Sequence, residues 1–452
     1  MTAAAHIPPV AACSYPVRGG NLVQPMVDGV SIFRRIGEAI EAARRSVWLT
    51  VAFYADDFAF PDGRGALFDL LDRTAARGVD VRMLAWRPNP ELYHDGRLFG
   101  GSAADRAMLA ARDSRVRIRW DRAATVYCQH QKCWMIDAGT PSETAFVGGA
   151  NLTAKALSRH DSYIEIAGPA ATDVHHNFVQ RWNEASERGA TDGNWACDAS
   201  DAMAFPAALS PPRGDSTVQI QRMLHAGRYS DGRPAPGGAP FDVARGERAV
   251  LEQYRQAIDA ARRTIYIENQ AIPVPEIADR LLGALARGVE VVLLTAADPE
   301  PYVYAARRDP AQQARFRSLA ALAAHRDFLL AGIAARQGAA RQPTYVHGKL
   351  MVVDDVWATV GSCNLHAYSL QGHSEMNAAI WDAAVVRALR TALYAKHLDL
   401  GTEALDDAAA LRLFARTARD NRLKLEKGDP AWQGDAFAFP AARYAMTAGE
   451  VP

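Results

Sequence analysis

The sequence predicts an α/β protein of two pseudo-symmetric halves, each a mixed β-sheet flanked by helices. Three repeated features predict this. First, His130, Lys132 and Asp137 are spaced as H-x-K-x4-D, and His347, Lys349 and Asp354 repeat that spacing. Each set is followed by a small-residue turn and an amide, Gly148-Gly149-Ala150-Asn151 and Gly361-Ser362-Cys363-Asn364. One short match is weak evidence, but two with the same sequel are hard to obtain by chance. Second, Ala39 to Trp48 (AIEAARRSVW) matches Ala257 to Tyr266 (AIDAARRTIY). Third, Arg77-Gly78-Val79-Asp80-Val81 matches Arg287-Gly288-Val289-Glu290-Val291.

Taken in order, the first matched pair is an alanine-rich helix passing into a β-branched, aromatic run that reads as a buried strand. In the second pair a glycine ends a helix and a strand follows. Each half thus reads helix, strand, helix, strand, signature, and such alternation argues for an α/β fold. Val126 to Asp137 alternates like a strand. The Pro-, Gly- and Ser-rich segment from Phe205 to Ala244 divides the halves. It predicts a boundary near residue 210, giving halves 1–210 and 211–452, then an irregular loop able to cover a site. Helices over Ala383 to Leu398 and Asp406 to Leu423 close the chain, followed by a loose tail.

The bulk numbers narrow the class. At 452 residues, 49% hydrophobic and 23% charged, the chain has an ordinary globular composition. Fifty-one basic and 51 acidic residues cancel, so no overall field draws nucleic acid, although a local basic patch stays open. No apolar run approaches the roughly 20 residues of a membrane span. Met1 to Gly20 lacks a basic segment followed by an apolar one, so no signal peptide is expected. A cytoplasmic or peripheral membrane location follows, with export by another route left open. Cys13, Cys128, Cys133, Cys197 and Cys363 are odd in number and lack metal-type spacing. They read as free thiols, with Cys133 and Cys363 in packing roles.

The signature residues suit one phosphodiester. His130 and Lys132 are two apart and share a strand face, as do His347 and Lys349. Two such strands facing each other would join two imidazoles and two ammoniums in one pocket. Asn151 and Asn364 would add amide donors. Lysines and asparagines would hold the non-bridging oxygens. One histidine attacks and the other protonates the leaving alkoxide. The two must then start in different protonation states. The lysines disfavour an imidazolium, and a carboxylate behind each ring would oppose them; Asp161 and Glu375 are the candidates. Asp137 and Asp354, by strand parity, point away and read as structural residues binding turn amides or a buried basic group. His160, His366 and His373 read as satisfied polar residues. No metal or other cofactor is expected, since each H-x-K supplies one ligand and a repelling cation.

The duplicated H-x-K-x4-D with its downstream G-[GS]-x-N resembles the phospholipase D superfamily. Ile265 to Gln270 (IYIENQ) is similar to the strand motif ahead of the family's second signature. Gly168 to His175 with Phe178 to Trp182 is similar to the helix closing the first half in bacterial and eukaryotic-type enzymes. The resemblance runs from about residue 25 to 400. It implies a metal-free double displacement, with His130 as the nucleophile forming a phosphohistidine and His347 as general acid, then base. The family's downstream acids fall on Asp161 and Glu375, and Gly149 and Ser362 fall in its substrate-binding turn. Two departures stand out: Gly149 where many members have serine, and Tyr394 and Lys396 where they usually have Trp and Glu.

Hydrolysis of phosphatidyl lipids to phosphatidic acid is the first expectation, with transfer to an alcohol as a second activity. A cardiolipin synthase-type phosphatidyltransferase is the alternative, and a nucleic-acid phosphodiesterase is weaker. A non-catalytic binding protein is disfavoured by the intact signatures. The expected partners are phospholipid at a membrane or micelle surface and water or an alcohol as acceptor, with no nucleic acid, for a monomeric protein. Leu92-Tyr93 to Leu98-Phe99 and Tyr302-Val303-Tyr304 are candidate lipid-facing loops.

Overall fold

Two mixed sheets with the same strand order make up the fold. The computed structural model describes residues 6–90, 98–124, 126–338 and 340–445. In the first half, Ser46–Val51 and Asp80–Trp86 run parallel, and Arg117–Asp121 adds a third parallel strand. On the other side of Ser46–Val51 follow Cys133–Ile136, Thr144–Gly148, Ser162–Ala167 and Arg18–Val27, each antiparallel to its neighbour. The second half repeats this: Thr264–Asn269, Glu290–Leu294 and Phe328–Gln337 are parallel. Lys349–Val353, Trp357–Gly361, Glu375–Trp381 and Ser216–Leu224 continue antiparallel. Arg18–Val27 and Ser216–Leu224 pair antiparallel and join the two sheets.

The matched segments behave as their patterns dictate. Helix Gly29–Ala42 buries Ile32, Phe33, Ile36, Ala39 and Ile40, a helical stripe. Its counterpart Ala249–Ala260 buries Val250, Leu251, Tyr254, Ala257 and Ile258. Ser46–Val51 and Thr264–Asn269 are buried at every residue, as expected of strands covered on both faces. Gly78 and Gly288 follow the next helix of each half at φ of 85° and 89°, the left-handed conformation that ends a helix without a Cβ clash. Each half has its own apolar core. A third core takes Val147, Ile166 and Phe178 from one half and Val360, Ala378 and Phe414 from the other.

Four expectations need correction. Residues 126–132 are not strand; pairing begins at Cys133, because the Cys128 and His130 peptides bond to Ser374 of the other half instead. The segment after residue 210 is not all loop: Ser216–Leu224 is a buried strand. The tail is not loose throughout, since Ala436–Ala438 pairs with Phe328–Gln337 and buries Phe437. Leu92, Tyr93 and the Tyr302 side chain lie outside the described residues, while Phe99 and Val303 are buried core residues rather than lipid-facing ones.

Candidate active site

The two signatures meet where the halves meet. His130 N–H donates to Ser374 O at 2.9 Å, and His347 N–H donates to His160 O at 2.8 Å. Each histidine peptide thus leaves its own sheet to bond the residue just before a carboxylate of the opposite half. The side chains follow the same crossing. His130 Nδ1 lies 2.9 Å from Glu375 Oε2, and His347 Nδ1 lies 2.6 Å from Asp161 Oδ2. A carboxylate accepting from Nδ1–H leaves the Nε2 lone pair of each ring for chemistry. All four side chains are buried, as are Lys132 and Lys349. Lys132 Nζ donates to His130 O at 2.8 Å. Lys349 Nζ donates to His347 O and, at 3.1 Å, to Gln270 Oε1.

The backing of the two rings is unequal. Glu375 accepts from Ser362 Oγ and Ser369 Oγ, each at 2.6 Å. Asp161 accepts from the Ser162 N–H at 2.9 Å. Gly149, the counterpart of Ser362, has no hydroxyl to offer. Burial, then the charges of Lys132 and Lys349, hold the His130 imidazole well below its usual range. Burial, then Lys349, Arg159 and Lys132, do the same to His347. Burial and the two lysines thus disfavour the imidazolium at both rings, and the carboxylate behind each ring opposes them. Burial also brings Lys132 down to about 8 and Lys349 to about 7, and lifts Asp161 to about 6. Glu375 is raised by the same cause.

Asn151 and Asn364 each carry a buried Oδ1 with no hydrogen-bond partner. Asp137 and Asp354 lie outside the centre. Asp137 Oδ1 accepts from the amides of Arg44, Arg45 and Ser46, and Asp354 from those of Arg262, Arg263 and Thr264. Each thereby ties the end of a signature strand to the preceding helix–strand turn. The His373 ring lies tilted 5.7 Å from that of His130 and stacks 5.9 Å from Tyr368, which is 53% exposed. Gln270, Ser369 and Tyr345, whose ring lies 6.3 Å from that of His347, belong to the site but not to the motif. Gln270 had a signal, since it closes the IYIENQ motif, one residue past the strand. Ser369 and Tyr345 had none. Among the described residues no helix is long and apolar enough to cross a membrane.

Fold and site together define a phospholipase D-like enzyme, and comparison with known proteins agrees. The family model described as cardiolipin synthase, PLD-like domain, matches residues 36–182 and 254–395, once in each half. The chain belongs to this family, within the phospholipase D superfamily. It is 26% identical over 409 residues to cardiolipin synthase A of Pseudomonas aeruginosa, covering 86% of this chain and 70% of the relative. It is 25% identical over 339 residues to phospholipase D alpha 1 of Arabidopsis thaliana, covering 59% of this chain and 41% of that one. Among solved structures, phosphatidylserine synthase of Haemophilus influenzae Rd KW20 superposes with a TM-score of 0.57 at 13% identity, covering 92% and 97% of the two chains. At that identity the likeness is one of fold.

Proposed function

We propose that the enzyme transfers a phosphatidyl group from a phospholipid to an alcohol through a phosphohistidine, as a cardiolipin synthase-type phosphatidyltransferase. The observation that carries this reading is the crossed pairing of His130 with Glu375 and His347 with Asp161. It supports a single centre in which both imidazoles and both lysines act on one phosphodiester. Lys132, Lys349 and the amides of Asn151 and Asn364 hold the non-bridging oxygens and offset charge growing on phosphorus. Gly149 and Ser362 shape the turns that carry those amides. His130 Nε2 attacks phosphorus, the bond to the head-group oxygen breaks, and His347 protonates that oxygen. His347 then takes the proton of the acceptor hydroxyl, whose oxygen attacks phosphorus and releases His130.

The unequal carboxylates support this division of roles. The bound phosphodiester brings a negative charge that favours an imidazolium. Asp161 has no hydroxyl donor among its bonds, so it keeps more proton affinity to share with His347 than Glu375, spread over two hydroxyls, shares with His130. The lysines supply the positive charge of the reaction, and all the groups named come from one chain. The sequence reading ranks hydrolysis first. Relatives named cardiolipin synthase, matched over most of this chain, move transfer ahead of it. Hydrolysis remains the second reading, favoured by the plant phospholipase D relative and by an intermediate that water can also open.

The test is incubation of the purified protein with phosphatidylglycerol vesicles, which offer both donor and hydroxyl acceptor, followed by mass spectrometry of the lipids. A diphosphatidyl product with released glycerol is expected. Phosphatidic acid alone would favour hydrolysis. Cleavage of DNA or RNA with no lipid turnover would overturn both readings.

A further inference from the structure

A buried cluster of ionisable groups adjoins the centre, and none of the steps above uses it. The His160 ring lies between Glu268, whose Oε2 is 2.6 Å from Nε2, and Asp28, whose Oδ1 is 3.1 Å from Nδ1. Glu268 also accepts from Tyr266 Oη at 2.6 Å and meets His397 Nε2 at 2.9 Å. Lys396 bonds Asp28 and lies 3.0 Å from His160 Nδ1. His160, Glu268 and His397 are fully buried and are the one trio among the described residues grouped closely enough to hold a metal ion. Their spacing is that of a hydrogen-bonded chain: two atoms each about 2 Å from a tetrahedral zinc stand wider apart than the imidazole–carboxylate contact here. Against the cost of burial, His160 and His397 hold the Glu268 carboxyl well below its usual range.

The His160 peptide is what ties this cluster to the chemistry. Its C=O accepts from His347 N–H at 2.8 Å, its N–H donates to Tyr345 O at 3.0 Å, and the next residue is Asp161, which holds the His347 ring. A clamp on the His160 ring therefore fixes both supports of His347. Among the described residues the first half shows no such clamp. Ser374 takes the place of His160 in bonding His130 N–H, and Thr50 aligns with Glu268 in the matched strands.

We propose that Glu268, acting through His160, is a positioning residue for His347. This rests on the acid–base role given to His347 above. The test compares kcat/KM for two soluble phosphodiesters that share one phosphoryl part. One releases 4-nitrophenolate, which needs no proton; the other releases choline, which does. Loss of a general acid costs about 10²–10⁴-fold, and only where the leaving group needs the proton. Glu268→Gln should lower the rate with the choline ester at least about tenfold more than with the nitrophenyl ester. Asp28→Asn should shift the ratio in the same direction. That second variant guards against misfolding, because Asp28 is 37% exposed and asparagine is isosteric with the aspartate that already holds this backbone conformation. His347→Asn is the benchmark. If it discriminates between the esters while Glu268→Gln and Asp28→Asn lower both equally or not at all, the positioning role is wrong and the reading of His347 stands. If His347→Asn itself fails to discriminate, the acid–base reading fails and this inference with it. A stoichiometric metal in the purified protein, lost in Glu268→Gln, would also overturn the clamp.

Discussion

Gly149 is bare because two members of the centre occupy the space a side chain would need. A Cβ there would stand 2.6 Å from Asp161 Oδ1 and 2.9 Å from Lys349 Cδ. Gly149→Ala should push Asp161 off His347 and lower kcat by about tenfold or more, the scale on which small misplacements act. Gly149→Ser should recover part of the loss, because a hydroxyl can donate to Asp161 as Ser362 donates to Glu375. Steady-state kinetics of both variants decide it, and an alanine variant faster than the serine one contradicts the argument. The buried lysines set a second expectation. The pH dependence of kcat/KM reports the free enzyme. Asp161, raised to about 6, must be ionised to orient His347, so kcat/KM rises through that pH. Lys349 at about 7 and Lys132 at about 8 lose their charge as pH rises, so it falls beyond. Since the His347 imidazolium, held low, is lost in the same direction, kcat/KM for a soluble phosphodiester whose leaving group needs a proton is expected to fall as pH rises from about 6 to 9. A flat profile from about pH 6 to 9 contradicts it.

At the scale of elements, the repeats made most of the architecture legible, because helical stripes and buried strands leave strong periods in sequence. Ala39 to Trp48 and its match place a helix and a central strand in each half. What escaped was set by partners distant in sequence. Ser216–Leu224 alternates in Thr217, Gln219 and Gln221, yet Pro and Gly on both sides masked it as loop. Arg117–Asp121 and Phe328–Gln337 extend each parallel set without repeated residues to flag them. His130 leaves its strand because its peptide bonds Ser374, a contact that no local pattern encodes. The signature residues were legible as a group, but their crossing was not: spacing offers Asp161 and Glu375 without saying which ring each one backs. The aspartates that end the signatures carry a prediction of their own. Asp354→Ala strands the amides of Arg262, Arg263 and Thr264 and should cost about 1–3 kcal/mol, read as a fall of several degrees in thermal unfolding. Asp137→Ala should behave alike, through Arg44, Arg45 and Ser46. Loss of activity with unchanged melting would instead place these residues in the chemistry.

For the whole molecule, the decisive property is charge that is balanced overall. Fifty-one basic residues face 51 acidic ones, and several surface arginines already have carboxylate partners, as in Arg34–Asp62, Arg112–Asp69 and Arg412–Glu290. On the proposed function, substrate capture rests on two buried lysines rather than on a cationic face. Buried charges are screened much less than exposed ones, and one phosphodiester releases few counterions. A single neutralised phosphate gives a salt slope of about −0.9 for duplex nucleic acid, whereas six to ten contacts lose about 10³–10⁵-fold between 50 and 200 mM salt. We therefore expect kcat/KM for a soluble phosphodiester to fall less than about fivefold over that range. A loss of a hundredfold or more would reveal an extended cationic surface that formal charge does not show. It would return nucleic acid to consideration as the substrate, with the crossed histidine–carboxylate pairs unchanged.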